Sequence, residues 1–204
     1  MQRAVLTLFL ATATAAVAAP PADLWQMLMH GNDNFVHGKL LYQHLDHQRD
    51  KTAVKQNPPV TVVSCSDSRV PPELMFDQSV GDLFVIRVAG NVVDPFNLAS
   101  VEYAVHNGWT KMIVVVGHES CGAVKAALSH DPPGSPSLEA LVEKIRDNLG
   151  HKEPPVKEAI EINARATARQ LVAESEIIRK AVDEGRVKIV TAYYSFDGKV
   201  RRLD

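Results

Sequence analysis

Three short runs of apolar residues, rich in valine and isoleucine, constrain the fold of this chain more than any other feature. A fourth run lies near the end of the chain, and the four predict strands at 60–65, 82–90, 111–118 and 187–195. The first three show little polar alternation, which is typical of parallel strands covered on both faces of a sheet. These runs therefore predict a sheet that is buried on both sides.

Helical patterns lie around and between these strands, at 22–40, 97–108, 121–130, 137–150 and 156–184. This alternation predicts an α/β fold with a central, mostly parallel β-sheet flanked by helices. Asp197 and Gly198 predict a turn into a last edge strand. Because no linker of domain scale interrupts the pattern, residues 20–204 are expected to form a single domain.

The first nineteen residues differ from the rest of the chain. Arg3 precedes an apolar run that ends in small residues before Pro20. This pattern predicts a signal peptide at 1–19 and an exported protein, in the bacterial periplasm. The run is too short for a spanning helix, so no membrane contact is expected after cleavage. The net charge of −2, without blocks of like charge, gives no reason to expect a nucleic-acid partner.

Chemically reactive residues follow two of the predicted strands, in the stretches VVSCSDSRV and VVVGHESCGAV. Cys65 ends the first strand, His118 ends the third, and Cys121 begins the helix that follows. In open α/β sheets, ligands bind at the carboxyl ends of the strands. If the strand geometry continues past Cys65, the side chains of Cys65, Asp67 and Arg69 point to the same side.

The two cysteines allow two interpretations. In an exported protein a pair of cysteines forms a disulfide by default. However, a disulfide does not explain His118, Asp67 and Arg69 beside the thiols. Two thiolates and an imidazole are zinc ligands, whereas magnesium and calcium prefer oxygen. We therefore predict one Zn²⁺ per chain, held by Cys65, His118 and Cys121.

Asp67 is a candidate fourth ligand, but Arg69 is close enough in sequence to pair with its carboxylate. Such a pair would hold Asp67 away from the metal and leave the fourth position open to water. We interpret Asp67 and Arg69 as a catalytic dyad, with Asp67 on the metal only in a closed state. An ordinary structural ion pair is the alternative.

Together these motifs resemble the β-class carbonic anhydrases, whose two signatures are Cys-x-Asp-x-Arg and His-x-x-Cys. The similarity extends over nearly the whole chain after the signal peptide and includes GDLFVIRVAGN, SVEYAV and TAYYSFDGKV. The resemblance implies reversible hydration of carbon dioxide to bicarbonate and a proton. It also implies a homodimer or a higher even-numbered assembly, with an N-terminal helical arm for dimerisation.

The resemblance further implies a subtype and a substrate pocket. Gln56 stands where the open, glutamine-type subtype has its glutamine, and Val62 occupies the position of the other subtype's tryptophan. Phe84 and Tyr103 match the apolar wall of the pocket, and Gly122 matches a backbone donor near bicarbonate. Some of these residues would come from the adjacent subunit.

One segment departs from the family pattern. Where Arg-Asn-x-x-Asn is frequent, this chain reads RVAGN, with Val88 and Ala89 after the arginine. This departure bears on the pocket shape and the substrate preference and not on the metal site.

Two other functions are alternatives to carbon dioxide hydration. The first is hydrolysis of carbonyl sulfide or carbon disulfide on the same fold. The second is non-catalytic binding of zinc or bicarbonate, for which loss of Asp67 or Arg69 would be the expected mark.

Overall fold

The computed structural model describes residues 21–41 and 45–204. The predicted signal peptide at 1–19 lies outside these residues and stays a prediction. Within the described ranges, no helix is both long enough and apolar enough to cross a membrane.

In this part of the chain the centre of the fold is a five-stranded sheet in the order β2-β1-β3-β4-β5. Its strands are β1 (Val60–Ser64), β2 (Leu83–Arg87), β3 (Met112–His118), β4 (Lys188–Tyr194) and β5 (Val200–Arg202). The first four are parallel, and β5 is antiparallel to β4. The predicted sheet is confirmed, and the four predicted strands differ from the observed ones only at their ends.

Helices flank the sheet on both faces. They are α1 (Pro21–Val36), α2 (Leu45–Thr52), α3 (Pro72–Met75), α4 (Pro95–His106), α5 (Gly122–Ala127), α6 (Pro136–Leu149), α7 (Val156–Glu174) and α8 (Glu176–Asp183), with a 3-10 helix at Ala89–Asn91. The sequence did not predict α2 and α3. Because α2 buries no residue and α3 is a single turn, neither produces an apolar periodicity.

Alternate residues of β1 and β3 enter two different cores, as expected for strands covered on both sides. One face packs against α1 and the segment after α3, through Val62, Val114, Val116, Leu28 and Phe76. The other face packs against α4, α7 and α8, through Val63, Ile113, Val115, Val101, Leu171 and Ile178. Every residue of β1 and β3 is buried, which explains their continuous apolar sequence.

The long helix predicted at 156–184 is broken at Ser175. This residue has an extended backbone, and its hydroxyl accepts a hydrogen bond from Ile178 N, so it caps α8. The hydroxyl also donates to the Glu102 carboxylate at 2.6 Å. The continuous apolar pattern concealed the break because Leu171 and Ile178, on either side of it, enter the same core.

A buried asparagine attaches α1 to the rest of the chain. Asn32 Nδ2 donates to Met75 O at 3.0 Å and to Gly198 O at 2.8 Å, and its Oδ1 accepts from Val200 N at 2.9 Å. One side chain thus satisfies three backbone groups, one at the end of α3 and two around the β4–β5 turn. Buried backbone groups without partners are costly, so this contact stabilises the packing of α1.

We expect Asn32→Ala to lower the free energy of unfolding by about 2–4 kcal/mol, because it leaves these backbone groups without their partner. Urea denaturation followed by circular dichroism measures the change. Asn107→Ala is the control, since Asn107 bonds only an exposed helix end; its effect should stay within about 0.5 kcal/mol. Equal effects of the two substitutions would contradict the anchoring role of Asn32.

Candidate metal centre

Two neighbouring parallel strands bring the candidate ligands together. Cys65 directly follows β1, His118 is the last residue of β3, and Cys121 immediately precedes α5. Their ligand atoms all lie within 4.8 Å of one another, and all three residues are buried. The cluster lies at the carboxyl edge of the sheet, which is where the sequence predicted a site.

The backbone after Cys65 is not the extended one that the alternation of residues suggested. The strand ends at Ser64, Asp67 N donates to Cys65 Sγ at 3.4 Å, and Val70 N donates to Asp67 O at 3.0 Å. The Arg87 guanidinium also donates to Cys65 O at 3.1 Å and to Asp67 O at 2.7 Å. The condition that the strand geometry continues past Cys65 is therefore not met, and a turn positions the polar side chains instead.

The His118 ring presents one nitrogen to the cluster. Its Nδ1 lies 2.9 Å from Glu119 O, and because a carbonyl oxygen can only accept, Nδ1 carries the proton. Its Nε2 is therefore a lone-pair donor, and this buried atom has no hydrogen-bond partner within the described ranges. A buried nitrogen without a hydrogen-bond partner, facing two thiols, is suited to bind a metal ion.

The two cysteines are free thiols, so the disulfide interpretation does not describe this structure. Hydrogen bonding with Cys121 is the largest influence that lowers the pKa of Cys65, to about 4. The N–H groups of Asp67 and Gly90, the latter 3.3 Å from Cys65 Sγ, act in the same direction. The pKa of Cys121 is raised, chiefly by its hydrogen bond with Cys65 and then by burial. Ionisation of the Cys65 thiol thus opposes ionisation of the Cys121 thiol. A divalent cation bound between them would stabilise both thiolates.

The donor set fits zinc. Two thiolates and one imidazole match the soft and borderline donors that zinc takes in tetrahedral sites, and the two negative charges balance the ion. Within the described ranges the other group of possible ligands is Glu143, Asp147 and His151, which are all exposed. We expect the buried group, and not the exposed one, to hold the ion.

Asp67 is held beside the ligands by Arg69. Arg69 Nε donates to Asp67 Oδ1 at 2.9 Å and Arg69 Nη2 donates to Oδ2 at 2.7 Å, while the Arg69 backbone N–H adds a third bond at 3.0 Å. These hydrogen bonds hold the pKa of Asp67 well below its usual range. Asp67 Oδ2 lies 4.0 Å from His118 Nε2, so the carboxylate borders the ligand set while Arg69 occupies both of its oxygens.

A buried chain of amides supports the loop that carries Gly90. Gln170 donates to Asn148 at 2.8 Å, Asn148 to Asn163 at 2.8 Å, and Asn163 to Gly90 O at 2.7 Å. Gly90 has a φ of 69°, and a Cβ there would lie 2.7 Å from the Ile145 side chain. Glycine is therefore required at this position, where its N–H reaches Cys65 Sγ.

Two of the four predicted pocket residues lie in an aromatic cluster that is separate from the ligands. Phe84 lies in an aromatic cluster, with its ring centroid 6.5 Å from that of Tyr103 and 6.4 Å from that of Trp109. Phe84 pairs with Thr61, at the far end of β1 from Cys65, which puts it roughly 13 Å away along the strand. Within one chain, Phe84 and Tyr103 therefore lie away from the ligands.

The other two predicted pocket residues are accessible. Gln56 is exposed in the loop before β1. Gly122 follows Cys121 directly, and a Cβ on it would meet nothing within 4 Å. Gly122 is therefore exposed, with open space where a side chain would stand.

Sequence reasoning missed two residues at the centre. Phe196 lies over Arg69, with 4.2 Å from the guanidinium carbon to the ring centroid. Glu119 Oε2 accepts from Phe196 N at 2.9 Å. Glu119 lies within the GHESCGAV motif, next to a predicted ligand, so its position was a usable signal. Nothing in the local sequence connects Phe196 to this site.

The fold and the buried ligand set define an α/β protein with a candidate metal-binding site at the carboxyl edge of its sheet. Residues 60–200 match the carbonic anhydrase family. Carbonic anhydrase 2 of Mycobacterium tuberculosis is 38% identical over 186 residues, which cover 87% of this chain and 89% of the relative. The carbonic anhydrase of Mycolicibacterium smegmatis is 39% identical over 189 residues, covering 88% of this chain and 92% of the relative.

Solved structures agree with this assignment. A tetrameric β-carbonic anhydrase from Sordaria macrospora has a TM-score of 0.69 and 26% identity, covering 89% of this chain and 97% of that one. The Coccomyxa β-carbonic anhydrase in complex with acetazolamide has a TM-score of 0.70 and 25% identity, covering 91% of this chain and 87% of that one. The chain therefore belongs to the β-class carbonic anhydrases.

We expect purified protein to retain about one zinc ion per chain, and Cys121→Ser to lose it, because structural and catalytic zinc sites both need at least three protein ligands. Elemental analysis after gel filtration in a weak chelator measures the ratio. His151→Ala removes a histidine from the exposed group and should keep full zinc content. Full occupancy in Cys121→Ser, or loss in His151→Ala, would show that the ion binds elsewhere.

Proposed function

We propose that Cys65, His118 and Cys121 hold one Zn²⁺ per chain and that the protein catalyses reversible hydration of carbon dioxide to bicarbonate and a proton. The observation that carries this proposal is the Asp67–Arg69 pair beside a buried ligand set. Arg69 keeps both carboxylate oxygens engaged, which supports an open fourth position and a site suited to catalysis.

Bound zinc would act as a Lewis acid that polarises a water molecule and makes it a nucleophile at neutral pH. Asp67 would supply an oriented hydrogen-bond acceptor next to the fourth position of the metal. Because its pKa lies below the usual range, it stays a carboxylate at physiological pH and can accept a hydrogen bond without becoming protonated. Arg69 sets the direction of the acceptor, since its two N–H groups fix the plane of the carboxylate.

The glutamine-type subtype is part of this proposal. Val62 is buried in the core of the sheet and provides no aromatic group at the position that distinguishes the other subtype. Asp67 is paired with Arg69, which supports the open arrangement. In this arrangement Gln56 and the backbone N–H at Gly122 would orient the oxygens of carbon dioxide or bicarbonate.

An apolar wall suits carbon dioxide because the molecule is uncharged. We propose that a second copy of the chain supplies this wall, through Phe84 and Tyr103, in a homodimer or a higher even-numbered assembly. Tyr103 is 53% exposed, and β2 forms a partly exposed edge of the sheet, which favours a protein contact there. α1 already buries Leu28 in its own chain, so only its outer face is available to act as a dimerisation arm.

Export to the bacterial periplasm is proposed on the sequence pattern of residues 1–19 alone. In such a compartment, zinc bound between Cys65 and Cys121 would also prevent their oxidation to a disulfide, because both thiolates would be coordinated.

The dyad leads to a direct test. Arg69→Ala should keep zinc and lose activity, because Asp67 is then free to turn toward the metal and close the fourth position. Asp67→Ala should also keep zinc, and its rate should fall roughly 10²–10⁴-fold, as for loss of a general base. Stopped-flow carbon dioxide hydration, with zinc measured in each sample, gives both quantities.

Arg202→Ala is the matched control for this test. Arg202 pairs with Asp204 at 2.9 Å, which is also two residues along the chain, but on β5 and away from the ligands. Its activity and zinc content should equal those of the wild type. A zinc-loaded Arg69→Ala variant as fast as wild type would refute the gating role.

Mixing two inactive variants tests whether each active site combines residues from two subunits. Cys121→Ser lacks the metal, and the double variant Phe84→Ala/Tyr103→Ala lacks the wall. In a mixed dimer, one of the two sites regains both the ligands and the wall. Refolding an equal mixture should therefore restore about a quarter of wild-type activity, by random pairing in a two-fold dimer. If the wall came from the same chain as the ligands, mixing would restore nothing.

A further inference from the structure

The turn between β4 and β5 places an aromatic ring on the dyad. The Arg69 guanidinium carbon lies 4.2 Å from the Phe196 ring centroid, within the range of a cation–π contact. The same ring lies 6.1 Å from the His118 ring and 6.3 Å from the Tyr194 ring. Phe196 is 38% exposed, so a large phenyl group stays partly in solvent at this position. The ring therefore lies against both the Asp67–Arg69 pair and the ring of a predicted metal ligand.

Independent hydrogen bonds fix this turn relative to the ligands. Glu119 N donates to Tyr194 O at 2.8 Å, and Glu119 Oε2 accepts from Phe196 N at 2.9 Å. Because Glu119 follows His118 directly, the position of the Phe196 backbone is tied to the end of β3. The turn is closed by Gly198 N, which donates to Ser195 O at 2.9 Å. These hydrogen bonds therefore hold the backbone of Phe196 in a fixed position relative to His118.

Arg69 needs such a support because 55% of its side chain is exposed. A long exposed arginine samples many rotamers, and within the described part of the chain the Arg69 side chain hydrogen-bonds only to Asp67. A guanidinium is planar: it can stack one face on an aromatic ring while its N–H groups point outward in the plane. Stacking on Phe196 and bidentate donation to Asp67 therefore use different parts of the same group and can act together.

We propose that Phe196 is a positioning residue, which holds the Arg69 guanidinium in the plane that grips Asp67. This rests on the proposed function for its effect on catalysis, but the contact itself can be tested without turnover. The ring acts through its π face, so an aliphatic residue of similar size should not replace it, whereas another aromatic should.

Phe196→Leu and Phe196→Tyr form the test pair. We expect Phe196→Leu to keep zinc and to lose about two- to tenfold in kcat, a loss in line with an exposed cation–π contact. Phe196→Tyr should remain near wild type. In the Arg69→Ala background, Phe196→Leu should cause no further loss, because its effect passes through Arg69. Phe96→Leu, at an exposed phenylalanine on α4, is the control and should change nothing.

A second readout separates this proposal from the proposed function. The Arg69 Nε–H resonance, assigned by its absence in Arg69→Ala, should exchange with water faster in Phe196→Leu than in wild type or Phe196→Tyr. Equal exchange in all three proteins would refute the role of Phe196, and so would an equal loss of kcat in both Arg69 backgrounds. A wild-type protein without hydration activity, but with the expected exchange pattern, would refute the proposed function and leave the positioning role intact.

Discussion

The parallel, in-register pairing of β1 with β3 is the constraint on which the site depends. Ser64 pairs with Val116, so both strands end at the same edge of the sheet. Cys65 and His118 therefore lie close together there. The two strands are buried on both faces and cannot slip by one residue without moving valines from one core to the other. The geometry of the ligands is therefore fixed by the hydrophobic register, and the thiols themselves contribute little to it.

Local patterns explain what could be predicted from the sequence. Continuous valine-rich runs specify buried parallel strands, and the rule that ligands bind at the carboxyl ends then locates Cys65, His118 and Cys121. The break at Ser175 could not be read in this way, because apolar residues on both sides of it serve one core. The contact of Phe196 with Arg69 joins segments far apart in the chain, and only the fold brings them together. The turn after Ser64 also depends on tertiary contacts, since a guanidinium from β2 holds two of its carbonyls.

Charge explains why the dyad and the thiols belong together. Two thiolates already neutralise a divalent ion, so a third negative ligand would make the centre anionic and weaken its polarising effect on water. If zinc is bound as proposed, the Asp67 carboxylate is therefore best placed close to the ion but not on it. The structure meets this requirement with Arg69, which engages both carboxylate oxygens, and with Phe196, which lies against the guanidinium.

The segment RVAGN, which departs from the family pattern, begins at the last residue of β2 and includes the 3-10 helix at Ala89–Asn91. Val88 lines a cleft with Val92 and Leu141, and it packs against the apolar cluster that includes Cys65 and Cys121. Its backbone keeps the turn in place, because Val88 N donates to Ser64 O at 3.1 Å and Asn91 N donates to Val88 O at 2.9 Å. The backbone N–H of Gly90 in this segment contacts Cys65 Sγ. Because this contact with Cys65 is made by a backbone N–H, it does not itself depend on which side chain stands at position 88.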